Sequence, residues 1–380
     1  MAVTPTDVLI VGAGPAGLAT AIGLAQRNIG FRIIDALPEA QNTSRAAVIH
    51  AATLECLGEL QVADRLITEG IKVPEFRLRD RDSILLHIDF SELPSATPYA
   101  LMIPQDESEQ VLVDRLSALG HTVERPVRLS SFEAAEERVR ATCVGEGGQI
   151  EIDARFIVGA DGESSTVRTR AAIDFPGDTY GSFLLADVRM DWPLSRNEVT
   201  LFFSEAGTLV VAPMSRDRYR VVAQLPGAPS EPSIADVQRV IDARGPRTAT
   251  RIREVLWGSR FQVHHKLADR FRDGPVLLVG DAAHVHSPAG GQGMNLGLRD
   301  ATALSGALAD AIEKGSDEPL EAYATKRRRA AAEVLAMTDR LTRVATIANP
   351  AWRWARNRLI GASGSFPAAK RYIANTLAGY

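Results

Sequence analysis

Three glycines spaced as Gly12-x-Gly14-x-x-Gly17, with Ala13, Pro15 and Ala16 between them, stand directly after an apolar run at residues 8–11. Backbone without Cβ atoms at that spacing can turn tightly and let a diphosphate lie against the main chain. Gly12 permits the turn, Gly14 the approach of pyrophosphate, and Gly17 the close packing of the next helix on the strand. Asp35 ends the following apolar run, where a carboxylate can accept from ribose hydroxyls. A second concentration of glycine lies in "PVLLVGDAAHVHSPAGGQGMNLG": residues 276–279 run into Gly280-Asp281, then come Pro288, Gly290, Gly291 and Gly293, and then Met294 and Asn295. An aspartate placed there is a strong hydrogen-bond acceptor. A helix beginning near Gly293 would turn its partially positive N-terminus back toward this glycine-rich loop. A third piece, "FIVGADGESSTVR", brings Asp161 and Arg168 to the end of another buried strand.

These residues need rigid elements behind them. Residues 8–11 read as a buried strand, the run to about residue 27 as a helix closed by Asn28 and Gly30, and residues 31–34 as the next strand. Strand, glycine turn, helix, strand and acid together give the G-x-G-x-x-G spacing its dinucleotide-binding context. Helical periodicity is expected over 44–60 (Leu54, Leu57, Leu60) and over 105–120, where Val111, Leu112, Leu116 and Leu119 share a face. Residues 72–103 read as strands and loops, and 127–152 as a β-meander turning at 146–148. From 179 to 224 the pattern is almost entirely β, followed by a helix over 234–243, a long helix over 293–313 and a basic helix over 320–343. The fold class is therefore mixed α/β, with a Rossmann-like nucleotide domain, an inserted β-sheet domain and C-terminal helices. The expected partition is 1–75, 100–178 and 260–335 for the first domain, 76–99 and 179–259 for the second, and 336–380 for the tail.

The bulk numbers agree with such a protein. At 380 residues two domains are the natural division, and 45% apolar with 24% charged residues is an ordinary globular balance. A net charge of −4 carries no nucleic-acid footprint. Cys56 and Cys143 form neither a metal spacing nor a disulfide framework, which fits a reducing, cytoplasmic setting, and no metal is expected. The apolar stretch 8–24 lacks a basic leading region and is not read as a signal sequence. No run approaches the ~18 apolar residues of a membrane span.

With all three motifs in this order, the sequence resembles the single-component FAD-dependent aromatic hydroxylases of the p-hydroxybenzoate hydroxylase type, most strongly the branch acting on phenols and polyketide-derived aromatics. The resemblance covers most of residues 6–310. It implies FAD as cofactor and NAD(P)H as reductant, with O2 and a small aromatic compound as substrates and a flavin hydroperoxide as the oxygenating species. It assigns Arg45 to the cofactor's surroundings, Gln105 to the ribityl chain and Val127 to adenine. Asp161 and Arg168 would contact FAD and NAD(P)H. Asp281 would meet the ribityl hydroxyls, and Pro288, Gly291, Gly293, Met294 and Asn295 the isoalloxazine. Pro288 would also bring a backbone carbonyl near the reacting oxygen. The apolar residues Phe202, Phe203, Val210, Pro213 and Met214 would floor an aromatic pocket. His87, His264 and His265 are candidates for a base by residue type alone.

The sequence departs from its relatives in places. Asp35 stands where Glu is commoner in that family, Ala52 stands where Arg is common, and the thioredoxin-like domain that many members of the family carry after this point is expected to be absent. A monomer or homodimer is expected. From 340 to 380 there are seven basic residues and no acidic one, interleaved with Trp352, Trp354, Leu359, Ile360 and Phe366. This tail is expected to dock on the protein with its aromatics in a groove and its arginines solvated, the alternative being a basic amphipathic membrane contact. An NAD-dependent dehydrogenase would explain the first motif but not the Gly280 stretch. A halogenase would carry W-x-W-x-I-P, whereas Trp352-Arg353-Trp354 is followed by Ala-Arg-Asn. A flavin-binding protein without hydroxylase activity stays open.

Overall fold

The apolar runs that end in glycine pair with one another. In a computed structural model describing residues 5–40, 46–135, 138–214, 217–287, 290–345, 347, 349–364 and 366–380, four strands run parallel in the order β17-β10-β1-β2. These are β1 (Thr6–Val11), β2 (Phe31–Ile34), the C-terminal part of β10 (Gly148–Gly159) and β17 (Val276–Leu278). Leu9, Ile10, Ile157, Val158 and Leu277 are fully buried, as parallel strands covered on both faces must be. β16 (Arg272–Asp273) closes one edge, and the hairpin of β8 (Val127–Ala135) and β9 (Arg138–Gly145) extends the N-terminal part of β10. Helix α1 (Pro15–Ala25) packs against α4 (Gln105–Ala118) and α7 (Gly293–Lys314). A Cβ on Gly23 would lie 2.2 Å from Ser305 Oγ, so glycine is what lets α1 meet α7 so closely.

A second, eight-stranded sheet has the order β18-β15-β11-β14-β13-β12-β5-β6. Its strands are β5 (Glu75–Asp80), β6 (Ser83–Asp89), β11 (Gly177–Asp191), β12 (Glu198–Ser204), β13 (Gly207–Pro213), β14 (Arg218–Gln224), β15 (Arg251–Leu267) and β18 (His284–Val285). Its central strands alternate. Leu184, Ala186, Val188, Phe202, Leu209, Val211 and Val221 turn one way and pack against Val237, Val240 and Ile241 of α6 (Ile234–Arg244). That helix starts at a capping box between Ser233 and Asp236. Residues of the other register turn toward the nucleotide-binding part. Buried Asp187 accepts from Arg220 Nε (2.8 Å) and Nη2 (2.9 Å), and Arg220 Nη1 donates to Ala46 O at 2.8 Å. A three-stranded sheet, β3 (Val48–Ile49)-β7 (Ala100–Met102)-β4 (Ile71–Val73), lies between α2 (Ala51–Glu59), α3 (Ala63–Glu69) and the rest.

Two expectations change. The helix expected from residue 44 starts at Ala51, because Val48 and Ile49 pair with Met102 and Leu101; residues 41–45 lie outside the described residues. The sequence also gave no warning of the 17-residue β15, whose half-exposed pattern and three register shifts against β11 erase the alternation.

The tail is α8 (Glu318–Ala345), α9 (Pro350–Ser363) and α10 (Pro367–Ala378). α9 and α10 dock on β6 as expected, but with the side chains reversed. Arg356 is buried: Nη1 donates to Val344 O (3.0 Å) and Ala345 O (3.2 Å), and the guanidinium lies 4.8 Å over the Phe203 ring. Trp352, Trp354, Leu359 and Phe366 are exposed by 70, 65, 71 and 64%. The inward stripe of α9 is Arg353, Arg356, Asn357 and Ile360; Trp352 and Leu359, two turns apart, fall outside it. No helix among the described residues is long and apolar enough to cross a membrane.

Candidate nucleotide and flavin site

β1 hands over to α1 at Gly12, whose φ is +103°. A Cβ there would lie 2.3 Å from Ala160 O, and one on Gly17 would lie 2.0 Å from Gly12 O, so the chain's own packing requires these two glycines. Gly14 is different. A Cβ built on it meets nothing within 4 Å, and as N-cap of α1 it offers no side-chain cap, with Pro15 next. The helix's first N–H groups are thus left for an anion from outside the chain. Beside them, Ala13 N–H donates to Asp35 Oδ2 at 2.8 Å. Asp35 Oδ1 accepts from Leu37 N (2.9 Å) and Arg125 Nη1 (3.2 Å). Carboxylate oxygens carry two lone pairs each, so a ribose hydroxyl can still be received. Val127 N–H donates to Asp35 O at 2.7 Å, which brings this residue to the same end. Pro15 and Ala16 form the first turn of α1. Small residues, an uncapped helix and an anchored carboxylate fit the adenosine diphosphate half of FAD.

The second motif braces the first and third. Asp161 accepts from Ser165 Oγ, Thr166 N (2.7 Å) and Val167 N (3.2 Å) at the start of α5 (Thr166–Arg170). Burial pushes its carboxyl up, against the pull of those bonds. Arg168 donates to Ala282 O (2.8 Å) and Glu163 O (2.6 Å) and lies 3.9 Å over the Phe175 ring. Burial lowers its pKa. The bonds seen here join protein to protein, holding the turn after β10 to the turn after β17.

At the third motif, Gly280 (φ +62°) brings its turn onto α1: a Cβ would lie 2.9 Å from Ala16 Cβ. Asp281 follows at the surface. Asn295, fully buried in the first turn of α7, binds three backbone groups: Oδ1 accepts from His50 N (2.8 Å), and Nδ2 donates to Val48 O (2.9 Å) and Gly291 O (2.8 Å). Gly291 has φ +64°, and a Cβ on it would strike Val48 Cγ1 at 2.2 Å. His50 Nε2 lies 2.8 Å from Gly290 O, so the ring donates there. Burial, with Arg299 nearby, pushes its pKa down to about 4 and keeps it neutral. A Cβ on Gly293 would come 3.9 Å from the His286 ring, itself pushed down to about 4 by burial. Met294 packs against the main core. Gln292, the N-cap of α7, uses its side chain on Leu377 O (3.0 Å), so this helix end too has no side-chain cap. Gln105 Oε1 accepts from Ala46 N (3.1 Å) and its Nε2 donates to Glu109 (2.7 Å). Arg45 and Pro288 lie outside the described residues.

Residue-by-residue reading of the sequence missed Arg125, His50 and a buried chain behind the loop. In that chain His284 Nε2 lies 2.7 Å from Asp300 Oδ2, and Asp300 pairs with Arg327. None of these carries a motif; only the fold brings them together. Of the named histidines, His87 pairs with Glu75 (3.1 Å) at the far edge of the large sheet, and His264 lies 3.0 Å from Thr179 Oγ1; His265 adjoins it on β15. The pocket floor is corrected. Phe202 is fully buried against α6 with Trp192 edge-on at 6.1 Å, and Pro213, in register with Tyr219, shares that face. Val210 alternates to the other face with Ala212 and Arg220, the face that reaches Ala46. Among the described residues no group of three or more His, Cys, Asp or Glu side chains could hold a metal ion.

Comparisons with known proteins give the chain's family. The chain belongs to the FAD binding domain family, whose model matches residues 5–338. It is 35% identical over 351 residues to 6-methylpretetramide 4-monooxygenase of Streptomyces rimosus, covering 90% of this chain and 63% of that protein. It is 35% identical to the uncharacterized aromatic compound monooxygenase YhjG of Bacillus subtilis, covering 98% of this chain and 74% of the other. The solved structure of OxyS, an anhydrotetracycline hydroxylase from Streptomyces rimosus, superposes with a TM-score of 0.80 at 32% identity, over 99% of this chain and 76% of that one. The chain thus spans less than two thirds of the first of these relatives (63%) and about three quarters of the other two (74% and 76%).

Proposed function

We propose that this protein binds FAD along the crevice described above and uses NAD(P)H and O2 to hydroxylate an aromatic, phenolic or polyketide-like compound. One observation carries the reading. Gly12, Asp35, Asp161 and Gly280-Asp281 follow the C-terminal ends of β1, β2, β10 and β17, four parallel strands of one sheet. Ligands of open α/β sheets bind at that edge. The N-terminus of α1 at Gly14 would hold the pyrophosphate, Asp35 the ribose, Asp281 with Gln105 the ribityl chain, and the loop 290–295 the ring. Val210 and its neighbours on that face would border the substrate. When bound, FAD carries electrons from NAD(P)H to O2 and supplies an electrophilic oxygen for an electron-rich ring.

The chain's own part is position and field. The uncapped N-terminus of α7 favours negative charge at the ring's pyrimidine end. His50 and Asn295 fix the loop that shapes this end, and a neutral His50 adds no fixed charge. The names of two of the relatives, a 6-methylpretetramide monooxygenase and an anhydrotetracycline hydroxylase, support a polycyclic aromatic substrate. The test is NAD(P)H oxidation by the FAD-loaded protein against a panel of phenols and polycyclic aromatics. Stimulation by a subset is expected. FAD bound tightly with oxidation indifferent to every aromatic would favour a flavin-binding role without hydroxylation.

A further inference from the structure

We propose that α9 and the start of α10 form a docking face for an anionic lipid surface, so that the protein is a peripheral membrane protein. The sequence favoured a tail with its aromatics tucked in; the structure turns them out. Trp352, Trp354, Leu359, Phe366 and Tyr372 are 64–74% exposed, and Leu341 and Val344 at the end of α8 are each more than a third exposed. On α9 the inward stripe of Arg353, Arg356, Asn357 and Ile360 binds the protein, while the exposed residues include Ala351, Trp352, Trp354, Arg358, Leu359 and Ala362. This inverts the ordinary surface helix, whose polar face meets solvent. The helix has a large apolar outer face with a single charge in it, and the guanidinium of that charge, Arg358, lies 5.5 Å from the Trp354 ring.

Charge decides what would cover it. Residues 340–380 hold seven basic and no acidic residues in a chain of net charge −4, so the remainder carries the acidic excess. Arg356 is buried, Arg343 pairs with Asp339 at 2.9 Å and Arg353 with Glu205 at 3.5 Å. Arg340, Arg358 and Arg371 stay exposed, with Lys370 half-buried beside them. A second copy meeting this face through a two-fold axis would set cations against cations, with no acidic residue in the segment to answer them. A lipid surface supplies both needed chemistries: phosphates for the arginines and a headgroup layer where Trp, Tyr and Phe rings partition. The contact would be interfacial, since no described helix can span a bilayer. α10 connects this face to the loop before α7, where Gln292 Nε2 donates to Leu377 O at 3.0 Å.

Flotation of the purified protein with phosphatidylglycerol-containing vesicles and with pure phosphatidylcholine vesicles tests this, with tryptophan emission as a second readout. We expect flotation and a blue shift with the anionic vesicles alone, reversed by high salt. A double variant Trp352→Ala/Trp354→Ala and a charge variant Arg358→Glu/Arg371→Glu should each bind vesicles at least roughly tenfold more weakly, with FAD affinity unchanged. Protein that stays at the bottom of the gradient with anionic vesicles at low salt overturns the proposal. So does a dimer in solution that the double tryptophan variant converts to monomer, since a second copy would then cover the face. Flotation unchanged in both variants would place the lipid contact elsewhere and overturn it equally.

Discussion

His50 shows how much one side chain outside any motif can contribute. Its ring bonds Gly290 O and its backbone N–H bonds Asn295, so it joins the start of α2 to the loop that would hold the flavin ring. Replacing it with alanine removes one buried neutral hydrogen bond, worth about 1 kcal/mol. We expect roughly a fivefold rise in the FAD dissociation constant. His50→Gln, which keeps a donor at similar reach, should recover most of that loss, as fluorescence titration of the two variants will show. The pH dependence has a definite sign. An unfolded histidine takes up its proton near 6.5, whereas folded His50 does so at about 4. Between these values the unfolded chain holds the extra proton. The stability is therefore fully present above about 6.5 and is lost as pH falls toward 4, by on the order of 3 kcal/mol at most. His286 acts in the same direction. The melting temperature of the apoprotein should drop between pH 7 and pH 5, and His50→Gln should drop less; equal drops would mean His50 does not titrate in this window.

At the scale of the element, the turn from β1 to α1 holds two glycines that the chain's own packing needs and one, Gly14, that it does not. Gly12→Ala puts a Cβ 2.3 Å from Ala160 O at a positive φ, so it should destabilise the fold itself by a few kcal/mol. Gly14→Val meets no neighbour in the protein, so thermal stability of the apoprotein should barely change while FAD retention is lost. Paired melting curves and flavin absorbance separate the two, and a Gly14→Val protein that purifies yellow would remove the pyrophosphate from this turn. This turn was legible from sequence because its requirement is local. Gly12, Gly14, Gly17 and Asp35 lie within one βαβ unit, where spacing alone states the geometry. The helices expected over 105–120, 234–243, 293–313 and 320–343 were legible too, and the structure has them at Gln105–Ala118, Ile234–Arg244, Gly293–Lys314 and Glu318–Ala345. β15 was not, because its pairing partner and register shifts lie some seventy residues away and leave no alternation behind. Phe202 and Val210 show the same limit within the site. Their apolarity placed them in strands, but which face met the crevice depended on where α6 folds back.

For the whole molecule, one edge of one parallel sheet gathers four chain segments, and the second sheet is fastened to it through the buried Asp187–Arg220 pair and Ala46. Ala52 also takes its meaning at this scale. A Cβ on Gly379 would sit 3.4 Å from its Cβ, and Arg299 bonds Gly379 O, so the end of α10 occupies the space beside residue 52 where an arginine would extend. Folds of this kind host more than one chemistry, so the activity rests on the site rather than on the architecture. The central claim is that oxygen from O2 enters an aromatic ring. The most direct measurement supplies isotope-labelled O2 to the FAD-loaded protein with NAD(P)H and the aromatic compound that best stimulates oxidation, and weighs the product by mass spectrometry. The account predicts a hydroxylated product carrying one labelled oxygen atom. An unchanged aromatic with all the label in hydrogen peroxide or water, or a hydroxyl drawn from solvent, would contradict it.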